Sequence, residues 1–181
     1  MLLLIKIINI FNIEKTIYFM TSDEVDTLVT LLDKCEVGRL HPDVFVAIDR
    51  LTVSPGVEFI PLRRVEGQIQ VLLIPRDDDD KIWPGMLHTP GSILRPTDKS
   101  LEDVFERLFR GELGLSQTVK PKFIDYHFGH GKRGAGLGIE YIVELSDQPR
   151  VGEYYSVDAL PDNFIPDQKE MLNRAIEAYK K

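Results

Sequence analysis

The 181-residue sequence predicts an α+β fold in which a mixed β-sheet is sandwiched between helices. Three observations carry that reading. Apolar runs with strand character, parted by turn residues, predict β-hairpins. Amphipathic runs at helical spacing predict helices. The two kinds follow one another as helix, strands, helix, strands, helix, with no regular βαβ alternation and no internal repeat.

A hydrophobic content of 43% and a charged content of 28% suit a globular chain able to bury a core. The net charge of −7 argues against a general nucleic-acid binder, because neutralising phosphates needs a basic surface. It leaves room for a local basic site. Cys35 is the only cysteine, so no intrachain disulfide forms, and a reducing, cytoplasmic compartment is expected. No His/Cys cluster has zinc spacing.

Residues 1–19 form an apolar extension interrupted by Lys6, Asn9, Asn12, Glu14 and Lys15, too short and too polar to span a bilayer. They lack the small-residue cleavage site of a secretory signal. An interfacial helix or a packed strand fits them, and the abrupt change of composition at Met20 fits a translation start there. Residues 20–50 read as a helical extension and 51–181 as the main domain. In "TSDEVDTLVTLLDKCEVG", Thr21 or Ser22 caps a helix, Asp23 and Glu24 suit its positive end, and Leu28, Leu31 and Leu32 keep helical spacing. "HPDVFVAIDRLTV" fits a strand or a short helix. "VEFIPLRR" and "QIQVLLIPR", joined by "VEG", read as a hairpin. Asp77 to Asp80 read as a solvated turn, with a cation site as the lesser reading. A turn-rich "IWPGMLHTPGS" precedes a helix from about Ser100 to Leu113. Strands "PKFIDYHF" and "GIEYIVEL" flank "GHGKRGAGLG", a short strand lies near "EYYSV", and a helix from about Asp167 to Tyr179 closes the chain.

The segment Pro90–Leu115, "PGSILRPTDKSLEDVFERLFRGELGL", concentrates the chemistry. Ser100 is the expected cap, with Glu102 and Asp103 in the first turn. Leu101, Val104, Phe105 and Leu108 form an apolar stripe, and Asp103–Arg107 and Glu106–Arg110 have the spacing of one-turn ion pairs. Gly111 costs a helix about 1 kcal/mol relative to Ala, so close approach of another backbone is expected there. By itself the segment is an amphipathic helix packed on a sheet.

Its pattern resembles the box of the Nudix hydrolases, G-x5-E-x7-R-E-U-x-E-E-x-G-U, where U is apolar. Gly91 matches the opening glycine, Arg107 the arginine, Phe109 an apolar position, Glu112 the second paired glutamate, and Gly114 and Leu115 the closing pair. Leu108 and Gly111 replace two glutamates, Asp98 or Lys99 falls where the early glutamate belongs, and the glycine-to-arginine interval is about two residues too long. "FERLFRGELGL" is similar to the box helix of GDP-mannose mannosyl hydrolases, a branch that also lacks those glutamates. The resemblance implies a Nudix fold and Mg²⁺ held by Glu112 and the carbonyl near Gly91, with Gln148 as a further ligand and Arg107 towards the diphosphate. Glu153 and His127 are the candidate bases, beside Asp147 and His130. Arg95, Lys132 and Arg133 are candidate phosphate contacts, and Trp83 a candidate stacking surface. Their plainer readings are a strand histidine, a solvated basic hairpin tip and a core tryptophan.

Three functions follow. The first is a Mg²⁺-dependent hydrolase of a nucleoside-diphosphate-linked compound, such as a nucleotide sugar. The second is a Nudix-fold protein that binds such a ligand as sensor or regulator without turnover. The third is a diphosphatase with carboxylates relocated to Glu102, Asp103 and Glu106. The expected partner is a small nucleotide-type molecule, with no nucleic acid and no stable membrane insertion, and a homodimer stays open.

Overall fold

A computed structural model describes residues 20–116 and 120–181, so the readings placed on residues 1–19 lie outside the described residues. The chain divides into two units, Met1–Glu36 and Val37–Lys181. In the first, helix α1 (Ser22–Leu32) begins at Thr21, whose hydroxyl oxygen accepts the Glu24 N–H while the Glu24 carboxylate accepts the Thr21 N–H. This reciprocal box satisfies two donors that a helix start leaves open.

In the second unit the ambiguous "HPDVFVAIDRLTV" is both things in turn. Helix α2 (Pro42–Asp49) starts with Pro42 in its first turn, where the missing N–H costs nothing, and His41 caps it. Strand β1 (Val53–Val65) begins four residues later and runs to the hairpin turn. That turn, Glu66–Gly67, has positive φ at both residues (50° and 85°), as a two-residue hairpin connection of matching twist requires. Strand β2 (Gln68–Pro75), the short strands β3 (Leu87–His88) and β4 (Gly91–Ile93), and helix α3 (Leu101–Glu106) follow. A π-helical turn, Arg107–Glu112, extends α3. Then come β5 (Lys122–Gly131), β6 (Gly134–Val143), β7 (Glu153–Ser156), a 3₁₀ turn at Pro166–Gln168 and helix α4 (Lys169–Tyr179). Helix α2, which the sequence groups with a 20–50 extension, falls in the second unit.

The seven strands form a mixed sheet of order β3-β2-β1-β6-β5, with β4 also on β1 and β7 on β2. Strands β1 and β6 run parallel from Val53↔Ala135 to Pro61↔Val143. On its other side β1 changes partner: its start pairs with β4 (Glu58↔Gly91) and its end with β2 (Leu62↔Val71). Alternation splits β1 between two cores. Val57 and Phe59 face α3 and its π-helical turn, together with Val104, Leu108, Phe109 and Tyr141. Ile60 and Leu62 face α4, with Ile142, Met171, Leu172 and Ala175. The sheet is thus covered by helices on both faces, as the sequence predicts. Phe59 anchors the first core, its ring 5.2 Å from Phe105, 5.0 Å from Phe109 and 5.8 Å from Tyr141, each such pair worth about 0.5–1.5 kcal/mol beyond burial.

Candidate active site

The Pro90–Leu115 segment is held as a strand, a turn and a helix. The Phe59 N–H donates to the Pro90 carbonyl and the Leu94 N–H to the Pro55 carbonyl, so the intervening Gly91 and Ile93 carbonyls face away from β1. Arg107 occupies that outer edge. Its guanidinium donates to the Ile93 carbonyl (3.1 Å), to Ser92 Oγ (3.3 Å) and to the Asp98 carboxylate. Asp98 also accepts the Arg95 N–H at 2.7 Å. Asp98 thus joins the turn to Arg107, and Arg107 ties the turn to the helix. The expected Asp103–Arg107 pair is absent for this reason: Asp103 accepts the Lys99 N–H instead (2.7 Å). Ser100 stands at the cap position without a side-chain hydrogen bond, while Glu106 and Arg110 do pair, at 3.2 Å.

The helix widens after Glu106. The Leu113 N–H reaches back to the Leu108 carbonyl (2.9 Å), a five-residue step, and such π turns concentrate at functional sites. Leu108 and Phe109 are fully buried by it, and Glu112 ends it. Gly114 then closes the segment with φ +66°, a conformation that disfavours any Cβ. The expectation of a close neighbour at Gly111 fails, since a Cβ there would meet no atom within 4 Å. Nothing in the packing explains that glycine.

Glu112 lies in a field of guanidinium groups. The residue is exposed, yet partial desolvation of its carboxylate raises its pKa, and Arg107, Arg95 and Arg76 oppose that rise. Arg95 is exposed, and Arg76, the residue just after β2, links this carboxylate to a second group of charges. That group centres on Glu58, whose carboxyl lies deep beside Gly91 with only an edge towards solvent. A Cβ on Gly91 would stand 2.6 Å from Glu58 Oε2, so this glycine is required by the neighbouring strand. Burial pushes Glu58 up to about 7, against the attraction of Arg76 and with help from Glu140. Gln168 Nε2 donates to Glu58 (3.5 Å), and the Thr89 N–H donates to Gln168 Oε1 (2.9 Å). His88, one residue from Thr89, is held down to about 4 by burial and by Arg76, and so stays neutral at pH 7.

The four-aspartate loop is more than a solvated turn. Asp80 accepts the Ile82 and Trp83 N–H groups through Oδ1 (2.9 and 2.8 Å) and pairs through Oδ2 with Arg76 (2.9 Å) and Arg133 (4.0 Å). The β5–β6 hairpin tip is pinned to the same loop, with Lys132 Nζ 3.9 Å from the centre of the Trp83 ring. Arg133 also feels Asp49, the last residue of α2, whose carboxylate accepts the Ser54 hydroxyl.

Of the residues singled out from sequence, Arg107, Glu112, Arg95 and Gly91 gather at the box, and Arg133, Lys132 and Trp83 meet along the loop beside it. Glu153 is exposed at the start of β7 near Tyr155 (3.4 Å), and His127 is exposed on the edge strand β5. Among the described residues no hydrogen bond or ion pair joins either to Glu112. Gln148 is exposed in a loop whose Arg150 N–H donates to the Leu113 carbonyl (2.9 Å), which brings that loop to the end of the box. Arg76, Glu58, His88 and Asp80 carry no sequence motif. Only the alternation of β1 and the Arg that ends the "QIQVLLIPR" run hinted at the first two.

No family model matches this sequence, and no curated protein does. Solved structures match well in shape. The NUDIX domain of Shewanella oneidensis NrtR, complexed with ADP ribose, has 16% identity and a TM-score of 0.58, covering 88% of this chain and 99% of that one. The chain has the Nudix fold. A mutT/nudix family protein from Listeria innocua is similar at 17% identity, with a TM-score of 0.56, over 71% of this chain and 96% of its own. A C. elegans Ap4A hydrolase is similar at 12% identity, with a TM-score of 0.55, over 71% and 98%. On this Nudix fold no three metal-binding side chains come together among the described residues, and none of the described helices is long and apolar enough to cross a membrane.

Proposed function

We propose that the protein binds a nucleoside-diphosphate-linked compound at the box and hydrolyses it with Mg²⁺, a nucleotide sugar being the finer expectation. The observation that carries this is Glu112, a carboxylate set among Arg107, Arg95 and Arg76 on a Nudix fold. The ADP ribose complexed with the NrtR domain and the Ap4A for which the C. elegans hydrolase is named are nucleotide-linked compounds, and both support this reading.

Glu112 and the outward Gly91 carbonyl are two oxygen donors, which is few for a dedicated cage but in keeping with Mg²⁺, which keeps waters and takes its other ligands from substrate phosphates. The arginines disfavour a bare cation, so Glu112 and Gly91 fit Mg²⁺ that enters with a diphosphate. When bound, the metal would supply Lewis-acid neutralisation of the leaving diphosphate. The chain's own part is to hold that diphosphate. The Arg107 anchor fixes the turn, the exposed Arg95 reaches the phosphates, and Arg133, Lys132 and Trp83 bound the ligand on the far side. Glu153 and His127 are the candidate bases, each of which must come within reach of the reacting water, and Gln148 is a candidate ligand.

A second reading, binding without turnover, is favoured by the lack of three gathered metal-binding side chains among the described residues. One assay separates them: Mg²⁺ with a panel of nucleoside-diphosphate sugars and nucleoside triphosphates in ¹⁸O-labelled water. Label in the sugar marks C–O cleavage, label in phosphate marks attack at phosphorus, and Glu112→Gln is expected to abolish turnover with the fold intact. Wild-type turnover in that variant would sink the assignment of Glu112. Ligand-induced thermal stabilisation with no turnover establishes the second reading.

A further inference from the structure

We propose that the outer edge of β5 is a dimer interface, on which β5 of a second copy of this chain pairs antiparallel about Phe128. The mixed sheet ends in β3 on one side and in β5 on the other, and the two edges differ. The β3 edge is two residues long and is crossed by the Leu87–Phe164 bridge. β5 is ten residues long, and among the described residues no strand lies on its outer side. After an irregularity at Phe123/Asp125 it keeps regular register from Asp125 to Gly131. That stretch, "DYHFGHG", contains no Lys, Arg or Pro of the kind that guards an edge. An unguarded edge presents a row of backbone donors and acceptors, and what satisfies such a row is another strand.

The face beside that edge is apolar. Tyr126, Phe128 and His130 alternate onto the side of the sheet that α3 covers further in, and Tyr126 and Phe128 are 69% and 55% exposed. Leu137 and Pro55 continue the Phe128 row across β6 and β1, and Ala135 and Val53 continue the His130 row. Val57 and Ile139 lie under α3, whereas Pro55 and Val53 are exposed. Rings exposed along an open edge gain burial from a strand laid beside them.

A second copy fits as the occupant. Phe128 is the midpoint of the regular stretch, so a two-fold axis there pairs all of it: Phe128 meets the partner's Phe128, Tyr126 the partner's His130, and Asp125 the partner's Gly131. Aromatic side chains then face aromatic ones. The ends match in charge as well. Asp125, the stretch's one formal charge, sits 3.9 Å from Arg174 and comes beside the basic tip of the other hairpin, Lys132 and Arg133. Parallel pairing would instead oppose the two copies of Asp125. Because the β3 edge is short and bridged, pairing through β5 uses the same edge of both copies and closes at two.

The test is sedimentation equilibrium of the full chain from micromolar to hundreds of micromolar concentration. Wild type is expected to pass from monomer to dimer within that range. Phe128→Lys sets two cations face to face on the axis, at an exposed position, and is expected to weaken association by about tenfold or more. Val65→Lys, at the far end of β1, is expected to associate as wild type. In a Cys35→Ser background, Phe128→Cys is expected to form an intermolecular disulfide on mild oxidation, because directly opposed Cβ atoms stand about 4.5–5.5 Å apart. Tyr126→Cys is expected to form none, since its two copies would lie roughly 13 Å apart along the strands. Circular dichroism shows whether each variant is folded, and the cysteine variants decide the matter if Phe128→Lys does not fold. Wild-type association in Phe128→Lys, loss of association in Val65→Lys, or a disulfide in Tyr126→Cys without one in Phe128→Cys overturns the proposal. A monomer at every concentration also overturns it, and leaves the edge to a strand of another protein. The nucleotide reading stands or falls separately.

Discussion

Glu58 and Glu140 stand side by side on the parallel strands β1 and β6, with Asp125 of β5 next in the row, on the face that α4 covers. The opposite face of the same strands, under α3 and its π-helical turn, is closed by Phe59, Leu108, Phe109 and Tyr141 without a charged group in its core. The difference within the acidic row is instructive. Glu140 is 1% exposed and meets the Arg174 guanidinium through both carboxylate oxygens, and Arg174 also reaches Asp125 (3.9 Å) and Glu170 (3.2 Å). Glu58 has only the Gln168 amide and cations at longer range, and its pKa climbs to about 7. A paired deep carboxylate is part of the scaffold. An unpaired one beside the box turn is available to the site.

Breaking the paired member should have the largest effect. Arg174→Met leaves Glu140 buried without its cation and is expected to cost about 3–5 kcal/mol of stability, read from urea unfolding at pH 7. A loss below about 1 kcal/mol would show that Glu140 draws its support from elsewhere. Altering the unpaired member should have a pH-dependent effect of opposite sign. Glu58 titrates near 7 in the folded chain against an ordinary 4.5, so its contribution to stability is complete below pH 4.5 and is lost as pH rises through 7. Glu58→Gln removes that loss, and its stability relative to wild type should rise between pH 4.5 and 8 by on the order of 3 kcal/mol. His88 runs the other way, depressed to about 4, with stability complete above 6.5 and lost as pH falls through 4. The variant should therefore show acid sensitivity alone. A difference from wild type that does not change with pH would mean Glu58 is better solvated than its position implies.

The smallest effect belongs to the solvent side of the helix that covers the apolar face. Gly111 stands outside the left-handed region, with open space where a Cβ would go. Gly111→Ala is expected to stabilise by up to about 1 kcal/mol, measured as a rise in Tm. Destabilisation would show that the π turn itself depends on glycine.

Much of the fold was legible because it follows from local patterns. The alternation in "VEFIPLRR" and "QIQVLLIPR", the positive-φ pair Glu66–Gly67, and the stripe Leu101, Val104, Phe105, Leu108 each state a period or a turn that neighbouring residues alone enforce. The resemblance to the box was legible in part for the same reason, since Arg107, Glu112 and Gly114 keep its spacing along the chain while Gly91 stands about two residues further off. The sequence put Asp98 or Lys99 where the early glutamate belongs and gave no sign that Asp98 pairs with Arg107, because that depends on where the turn brings a carboxylate. It placed Asp103 with Arg107 by helical spacing, and a longer-range contact won.

From the sequence alone came the α+β class, the hairpins, the capped helix and the box positions, all governed by contacts between near neighbours. Only the tertiary structure decided the charged belt from Glu112 through Arg76 to Glu58, Asp80 and Arg133. Those residues lie on β1, β2, the β5–β6 hairpin tip, the loop after β2 and the box, and only sheet pairing brings their charges together. Electrostatics acts through space, so its partners are fixed by the fold and not by distance along the chain.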